Sequence, residues 1–248
     1  MQKLRLRYAK RGRLRFTSHR DFQRALERAL RRADVPMAYS AGFTPHPKVS
    51  YANAASTGAA SEAEYVELQV AQRCDPEALR AALDEALPPG LDVVEVVEAG
   101  PGSLVDRLEA GEWEIVLPDA DPAEVSGAVR SFLAAERVDV ERLTKSGRRT
   151  LDARAAVVRL ALRDGADAVS ELGRAAAASG RSCAILHLVV RHATPAVRPD
   201  DVLAALRVVA DLAPPSPPQV TRLAQGPLNE EAGTVADPLA PDRDAAGA

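Results

Sequence analysis

Leu4-Arg5-Leu6-Arg7-Tyr8, followed by Arg13-Leu14-Arg15-Phe16-Thr17-Ser18-His19-Arg20-Asp21-Phe22, carries two hydrophobic periods in succession, and the change of period decides the fold. Leu4, Leu6 and Tyr8 alternate with arginines at period two, as do Leu14 and Phe16. This predicts a strand that continues across Lys10-Arg11-Gly12 with its arginines on the outer face. Ser18, with Asp21 three residues on, is a helix N-cap signature. Phe22, Ala25, Leu26, Ala29 and Leu30 then fall at helical spacing, which predicts a helix running to about Ala33. Its other face carries Arg20, Arg24, Arg28, Arg31 and Arg32, a basic stripe near i, i+4 spacing.

Outward from this start, residues 37–43, 48–53 and 65–71 read as strands. Asp75-Pro76 opens a second helix with Leu79, Ala82, Leu83 and Ala86 inward, and 91–98 is a closing strand. The order strand, helix, strand, strand, helix, strand is that of a ferredoxin-like domain over residues 1–100, and Gly100-Pro101-Gly102 marks a boundary. Residues 103–226 repeat the order, with strands at 113–117, 138–144, 151–163, 184–191 and 219–223 and helices at 121–136 and 199–211. The Ala-rich stretch 164–182 reads as a surface insertion, and 214–218 as a polyproline connector. The expected fold is α+β, two ferredoxin-like βαββαβ units in tandem, with 227–248 as an acidic, disordered tail.

Composition narrows the function classes. With 46% hydrophobic residues in 248, a real core is expected. No apolar run approaches the length of a membrane span and no secretory leader is evident, so the expectation is a cytoplasmic protein without a membrane. Residues 1–50 hold thirteen Lys or Arg against three Asp or Glu, a local charge of +10, so the rest of this −3 chain carries −13. An electropositive end on an acidic body is the footprint of a polyanion partner. Of the 32 basic residues 28 are Arg, a bias that makes arginine richness alone uninformative.

The segment Gly42-Phe43-Thr44-Pro45-His46-Pro47-Lys48-Val49-Ser50-Tyr51 sets a histidine between two prolines and a lysine after it. The prolines fix φ and push His46 out of the helical region, so the imidazole sits on a stiff, extended loop. Two readings stand: a turn former, or a presented group that acts as acid or base, stacks on a base, or binds phosphate beside Lys48. His19 lies at the helix start, where free backbone N–H groups attract anions, or is simply a surface residue. Lys145-Ser146-Gly147-Arg148-Arg149 reads as a basic hairpin tip, able to hold phosphates or merely solvated. His187 reads as core or edge packing within an apolar strand, and Glu62 and Glu64 as a solvated hairpin end in preference to paired acid–base carboxylates. His19, His46, His187 and His192 lack the paired spacing of zinc sites, so no metal is expected.

Five blocks of the chain resemble the radical SAM-linked protein family, whose members occur alone or fused behind cobalamin-binding radical SAM enzymes. They are Arg15 to Asp21, the loop from Gly42 through Phe43, Pro45, Pro47 to Ser50, Glu62-Ala63-Glu64-Tyr65, Ser146 to Arg154, and Val197 to Asp200. The stretch Asn53 to Gly58 departs from the family pattern. The resemblance implies a radical SAM enzyme as partner, not as this chain's own activity: Cys74 and Cys183 are short of the three thiolates a radical SAM cluster requires, so no cofactor is expected here.

Three hypotheses follow. One is an RNA-binding accessory module beside RNA-processing or modifying enzymes, using Arg13, Arg15, Arg20, Arg24, Arg28, Lys48, Lys145, Arg148 and Arg149. A second is a metal-independent ribonuclease with His46 and His19 as acid and base. The third is a substrate-delivery subunit that binds no nucleic acid. With aromatics at 4% and no aromatic pair of the RNA-recognition type, binding is expected to lean on phosphate contacts. Whether the protein is an enzyme stays open.

Overall fold

A computed structural model describes residues 1–144 and 147–246. The fold mixes helices and sheet, in two compact units: Met1–Leu108 together with the chain from Asp237 onward, and Glu109–Ala236. The boundary expected at Gly100–Gly102 thus falls after Leu108, and the end of the chain returns to the first unit.

In the first unit the order is β1 (Gln2–Lys10), α1 (His19–Arg32), β2 (Val49–Ala52), β3 (Ala60–Val70), α2 (Pro76–Ala86), β4 (Val93–Glu98) and a one-turn α3 (Leu104–Arg107). β1 lies between β4 and β3, β2 adds to the other edge of β3, and every pairing is antiparallel. Leu4, Leu6 and Tyr8 face α1 and α2 in a core with Phe22, Leu26, Leu30, Leu79 and Leu83, where Tyr8 and Phe22 stack at 4.1 Å. α1 starts as its sequence requires: the Ser18 hydroxyl accepts from Asp21 N–H at 3.2 Å.

Two expectations fail in this unit. The alternation at Leu14 to Phe16 is not strand but a 3-10 turn over Gly12–Phe16, because Gly12 at φ +52 leaves the extended region and ends β1. Residues 37–43 form no strand, only single bridges from Met37 to Val70 and from Tyr39 to Pro47.

The second unit runs β5 (Ala110–Pro118), α4 (Pro122–Ala134), β6 (Asp139–Thr144), β7 (Gly147–Asp152), β8 (Val157–Arg163), α5 (Glu171–Ala178), β9 (Cys183–Arg191), α6 (Pro199–Ala210), β10 (Gln219–Gly226) and the short pair β11 (Leu228–Asn229) and β12 (Thr234–Val235). Its sheet has the order β10-β5-β9-β8, antiparallel throughout. α4 and α6 pack side by side, and Val125, Phe132, Ile115, Leu186, Leu188 and Leu206 are buried. Residues 138–144 do not join this sheet. They pair only with β7 as a separate ribbon, and the sheet strand begins later, at Val157.

Residues 227–246, the described part of the expected disordered tail, are ordered. α7 (Ala240–Ala246) closes over the first unit: Leu239 is fully buried in a cluster with Tyr65, Val97, Leu104 and Leu108. The Asp242 carboxylate accepts from Arg5 at 2.6 Å, from Arg107 at 2.9 Å and from Gly100 N–H at 2.9 Å. Two anchoring side chains outweigh the polar composition of the segment.

Candidate nucleic-acid interface

What the basic segment offers a partner depends on which cations the protein has already neutralised. Of the thirteen in residues 1–50, Arg5 is buried between Asp242 and Glu67, and Arg11 is bound by Glu62 and Asp92. Lys3 reaches Glu67, Arg7 reaches Glu95, and the buried Lys10 donates to the carbonyls of Ala55 and Ser56. The arginines of β1 therefore do not present the outer face that alternation predicts. They fasten the sheet to its surroundings.

The remainder differ. Arg20, Arg24 and Arg28 are exposed along one face of α1, and neither they nor Arg13 on the preceding turn has a carboxylate within 4.0 Å among the described residues. Arg15 lies over the Phe16 ring at 4.8 Å. Arg31 and Arg32 donate to the backbone carbonyls of Glu27 and Ala86 and meet no carboxylate among the described residues. Phe22, Leu26, Ala29 and Leu30 anchor the opposite side of the helix, so this charge is held on a rigid element.

The Pro-His-Pro loop is also rigid. Ser40 N–H donates to His46 O at 2.9 Å and His46 N–H to the Ser40 hydroxyl at 3.0 Å, while Lys48 N–H donates to Ala38 O at 2.8 Å. The loop projects from the edge of β3, where Gln69 bonds both Ala38 and Lys48. Phe43, Pro45, His46, Lys48 and Ser50 are exposed and Pro47 is half-buried. The His46 imidazole has no hydrogen bond to protein among the described residues.

His19 is placed elsewhere. Its ring meets Tyr51 edge-on at 5.0 Å and shares a hydrogen bond with Gln23. Burial pushes the Tyr51 hydroxyl up to about 12, with Glu27 adding to the effect, so it stays protonated. No hydrogen bond or ring contact joins His19 to His46 among the described residues.

Glu62 and Glu64, read as a solvated hairpin end, instead hold structure. Glu62 binds Arg11, and the buried Glu64 carboxylate accepts from Ala55 N–H at 3.1 Å, fixing the Asn53–Gly58 stretch. Tyr65 is core.

In the second unit, the hairpin arm residues are largely occupied. Arg142 binds Asp201 at 3.1 Å and Ala196 O at 2.8 Å, and Arg148 meets Glu141 at 3.3 Å. Arg149 has no such partner among the described residues, and Lys145 lies outside them.

One cluster escaped sequence reasoning. Glu112 and Glu114 on β5 share a sheet face with His187 on β9 and Arg163 on β8. His187 Nε2 donates to Glu112 Oε1 at 2.7 Å, and that hydrogen bond holds the Glu112 carboxyl below its ordinary range. Glu114, fully buried, accepts from Arg163, Val169 N–H, Ser170 N–H and the Ser170 hydroxyl, which pins the 164–182 excursion to the sheet. A cavity of about 470 Å³ opens here, lined by Glu112, Arg159, Arg163 and His187 but also by Asp164 and Asp167. The signal was only the alternation of Glu112 and Glu114 within a hydrophobic strand. Among the described residues, no three His, Cys, Asp or Glu side chains converge as a metal site.

A family model matches residues 3–199, spanning the first unit's sheet and most of the second unit. The chain belongs to the family described as "uncharacterized protein conserved in bacteria (DUF2344)". The match takes in α1, the Pro-His-Pro loop and the ribbon of β6 and β7, and ends where α6 begins. No curated protein matches the chain. No helix among the described residues is long and apolar enough to cross a membrane.

Proposed function

We propose that the protein is an RNA-binding module that works in the cytoplasm beside an RNA-processing or RNA-modifying enzyme. A radical SAM enzyme is the partner class its sequence resemblance implies. The observation that carries this reading is the set of arginines with no carboxylate partner among the described residues, Arg13, Arg20, Arg24 and Arg28, on and just before one exposed helix face. Guanidinium groups left unpaired on a rigid helix lose little on meeting phosphate. They gain counterion release, the sequence-independent part of nucleic-acid affinity.

The topology supports the same reading. Strand orders β4-β1-β3-β2 and β10-β5-β9-β8 are what two tandem ferredoxin-like units would have, the second with the β6–β7 ribbon and α5 inserted. This fold class serves single-stranded RNA in other proteins. The test is binding of unstructured RNA across a salt series. Each neutralised phosphate contributes about 0.7–0.9 to the log–log slope, so four arginines predict a slope of about −3. Absence of binding at low salt ends the proposal.

A further inference from the structure

We infer that the Tyr39–Lys48 loop takes unpaired nucleobases by stacking them on Phe43 and Tyr39, so that the protein prefers single-stranded RNA to duplex. This rests on the RNA-binding reading and adds to it a discriminating contact that phosphates cannot supply. The first observation is where the exposed aromatics are. Of nine Phe, Tyr and Trp residues, Phe16, Tyr39 and Phe43 are the exposed ones, at 59%, 55% and 110% relative exposure, and all three fall within the basic N-terminal segment. The low aromatic content therefore misleads, because the few rings spent on the surface fall in the same sequence segment as Arg13, Arg20, Arg24 and Arg28.

The second observation is pre-organisation. Gly42 at φ +128 turns the chain immediately before Phe43 in a conformation that side chains rarely adopt. Pro45 and Pro47 stiffen the return, and the Ser40–His46 and Ala38–Lys48 hydrogen bonds close the base of the loop. A ring held out on such a loop loses little conformational freedom on binding. An exposed phenylalanine would equally suit an apolar protein groove or a bilayer, but the charge around it favours a polyanion. No Asp or Glu occurs between Asp34 and Glu62, and Lys48 is exposed with no carboxylate partner among the described residues. Stacking is tolerant of sequence because every base has a π-face, and a duplex hides those faces.

The experiment compares a short unstructured RNA with its duplex, for wild type, Phe43→Ala and Phe43→Trp, across the salt series. Phe43→Ala is expected to lower single-strand affinity about fivefold to 150-fold. Duplex affinity, the salt slope and the thermal melt should be unchanged, since the ring is uncharged and exposed. Phe43→Trp should keep affinity, and its fluorescence should be quenched by the single strand over the constant signal of buried Trp113. The inference is overturned if Phe43→Ala leaves single-strand affinity unchanged, if single strand and duplex lose equally, or if the salt slope moves. It is also overturned if RNA binding is indifferent to Phe43 while binding to phosphatidylcholine–phosphatidylserine vesicles depends on it. Failure of the loop alone appears as wild type binding RNA with a steep salt slope while Phe43→Ala binds the single strand as tightly as wild type. Failure of the RNA reading, which takes the loop with it, appears as wild type binding neither RNA at low salt.

Discussion

Two faces of the first unit carry arginines in opposite states. On the side closed by the chain's end, Arg5 and Arg107 meet Asp242, Arg5 also meets Glu67, and Arg243 is bound by Glu95 and Asp237. On the outer face of α1, Arg20, Arg24 and Arg28 meet no carboxylate among the described residues. The same side chain is a fastener in one place and an open valence in the other, so a count of arginines says little until each is paired off. Several arginines of the second unit behave like the fastened face: Arg163, Arg142, Arg181 and Arg191 each have a carboxylate partner.

The largest expected effect comes from breaking the fastened face. Asp242 is 1% exposed and Arg5 is 2% exposed, so Asp242→Asn leaves a buried guanidinium with Glu67 as its only remaining carboxylate among the described residues. Breaking a buried pair costs about 3–5 kcal/mol, and the contact to Glu67 puts this case near the lower end. Urea unfolding should show that loss, while RNA affinity per folded molecule stays at the wild-type value. A pH series sharpens it. Burial opposes ionisation of Asp242, but hydrogen bonds from Arg5, Arg107 and Gly100 together outweigh it and hold the carboxyl below its ordinary value. A depressed carboxyl gives stability that is present above the unfolded value of about 3.9 and is lost as pH falls through the lower folded value. Wild type should thus lose its advantage over Asp242→Asn only below about pH 4, and an advantage that vanished at neutral pH would contradict the latch.

Why the latch was invisible in sequence is instructive. Asp242 and Arg5 are 237 residues apart, and an acidic Ala-rich tail is indistinguishable by composition from a disordered one. The same limit hid the Glu112–His187 pair, whose partners come from different strands with a register that alternation cannot supply. Local signals fared better. α1 was legible because Ser18, Asp21 and the Phe22–Leu30 spacing all act within a few residues. The first strand was legible as far as Lys10 and misread beyond it, since Leu14 and Phe16 keep the alternation after Gly12 has already turned the chain. The loop at His46 was legible as stiff and presented. That Phe43, not the histidine alone, is its most exposed group was not.

The next effect is expected on the open face. Arg24→Glu with Arg28→Glu removes two cations and adds two anions on a surface whose opposite side makes the core contacts. The thermal midpoint should hold, because exposed substitutions seldom disturb packing. RNA affinity should fall, and the salt slope should shrink by about 1.4–1.8 for two lost phosphate contacts. Filter binding at several salt concentrations reads both. An early melt would mean the helix face is not the free surface described, and an unchanged slope would remove the phosphate contacts from α1.

The smallest effect concerns the hairpin, where the comparison can be made between two adjacent residues. Arg148 lies 3.3 Å from Glu141 across the ribbon, both well exposed, whereas Arg149 has no carboxylate partner among the described residues. If pairing decides which arginines a polyanion can use, Arg149→Ala should lower the salt slope by at most about 0.9, and Arg148→Ala should do less. Exposed pairs are weak, so the difference should be a few-fold in affinity at low salt and should fade as salt rises. Equal losses at the two positions would show that an exposed carboxylate at this distance does not withhold its arginine from a polyanion. The contrast between open and fastened faces would then have to rest on burial, as it does for Arg5, and not on pairing alone.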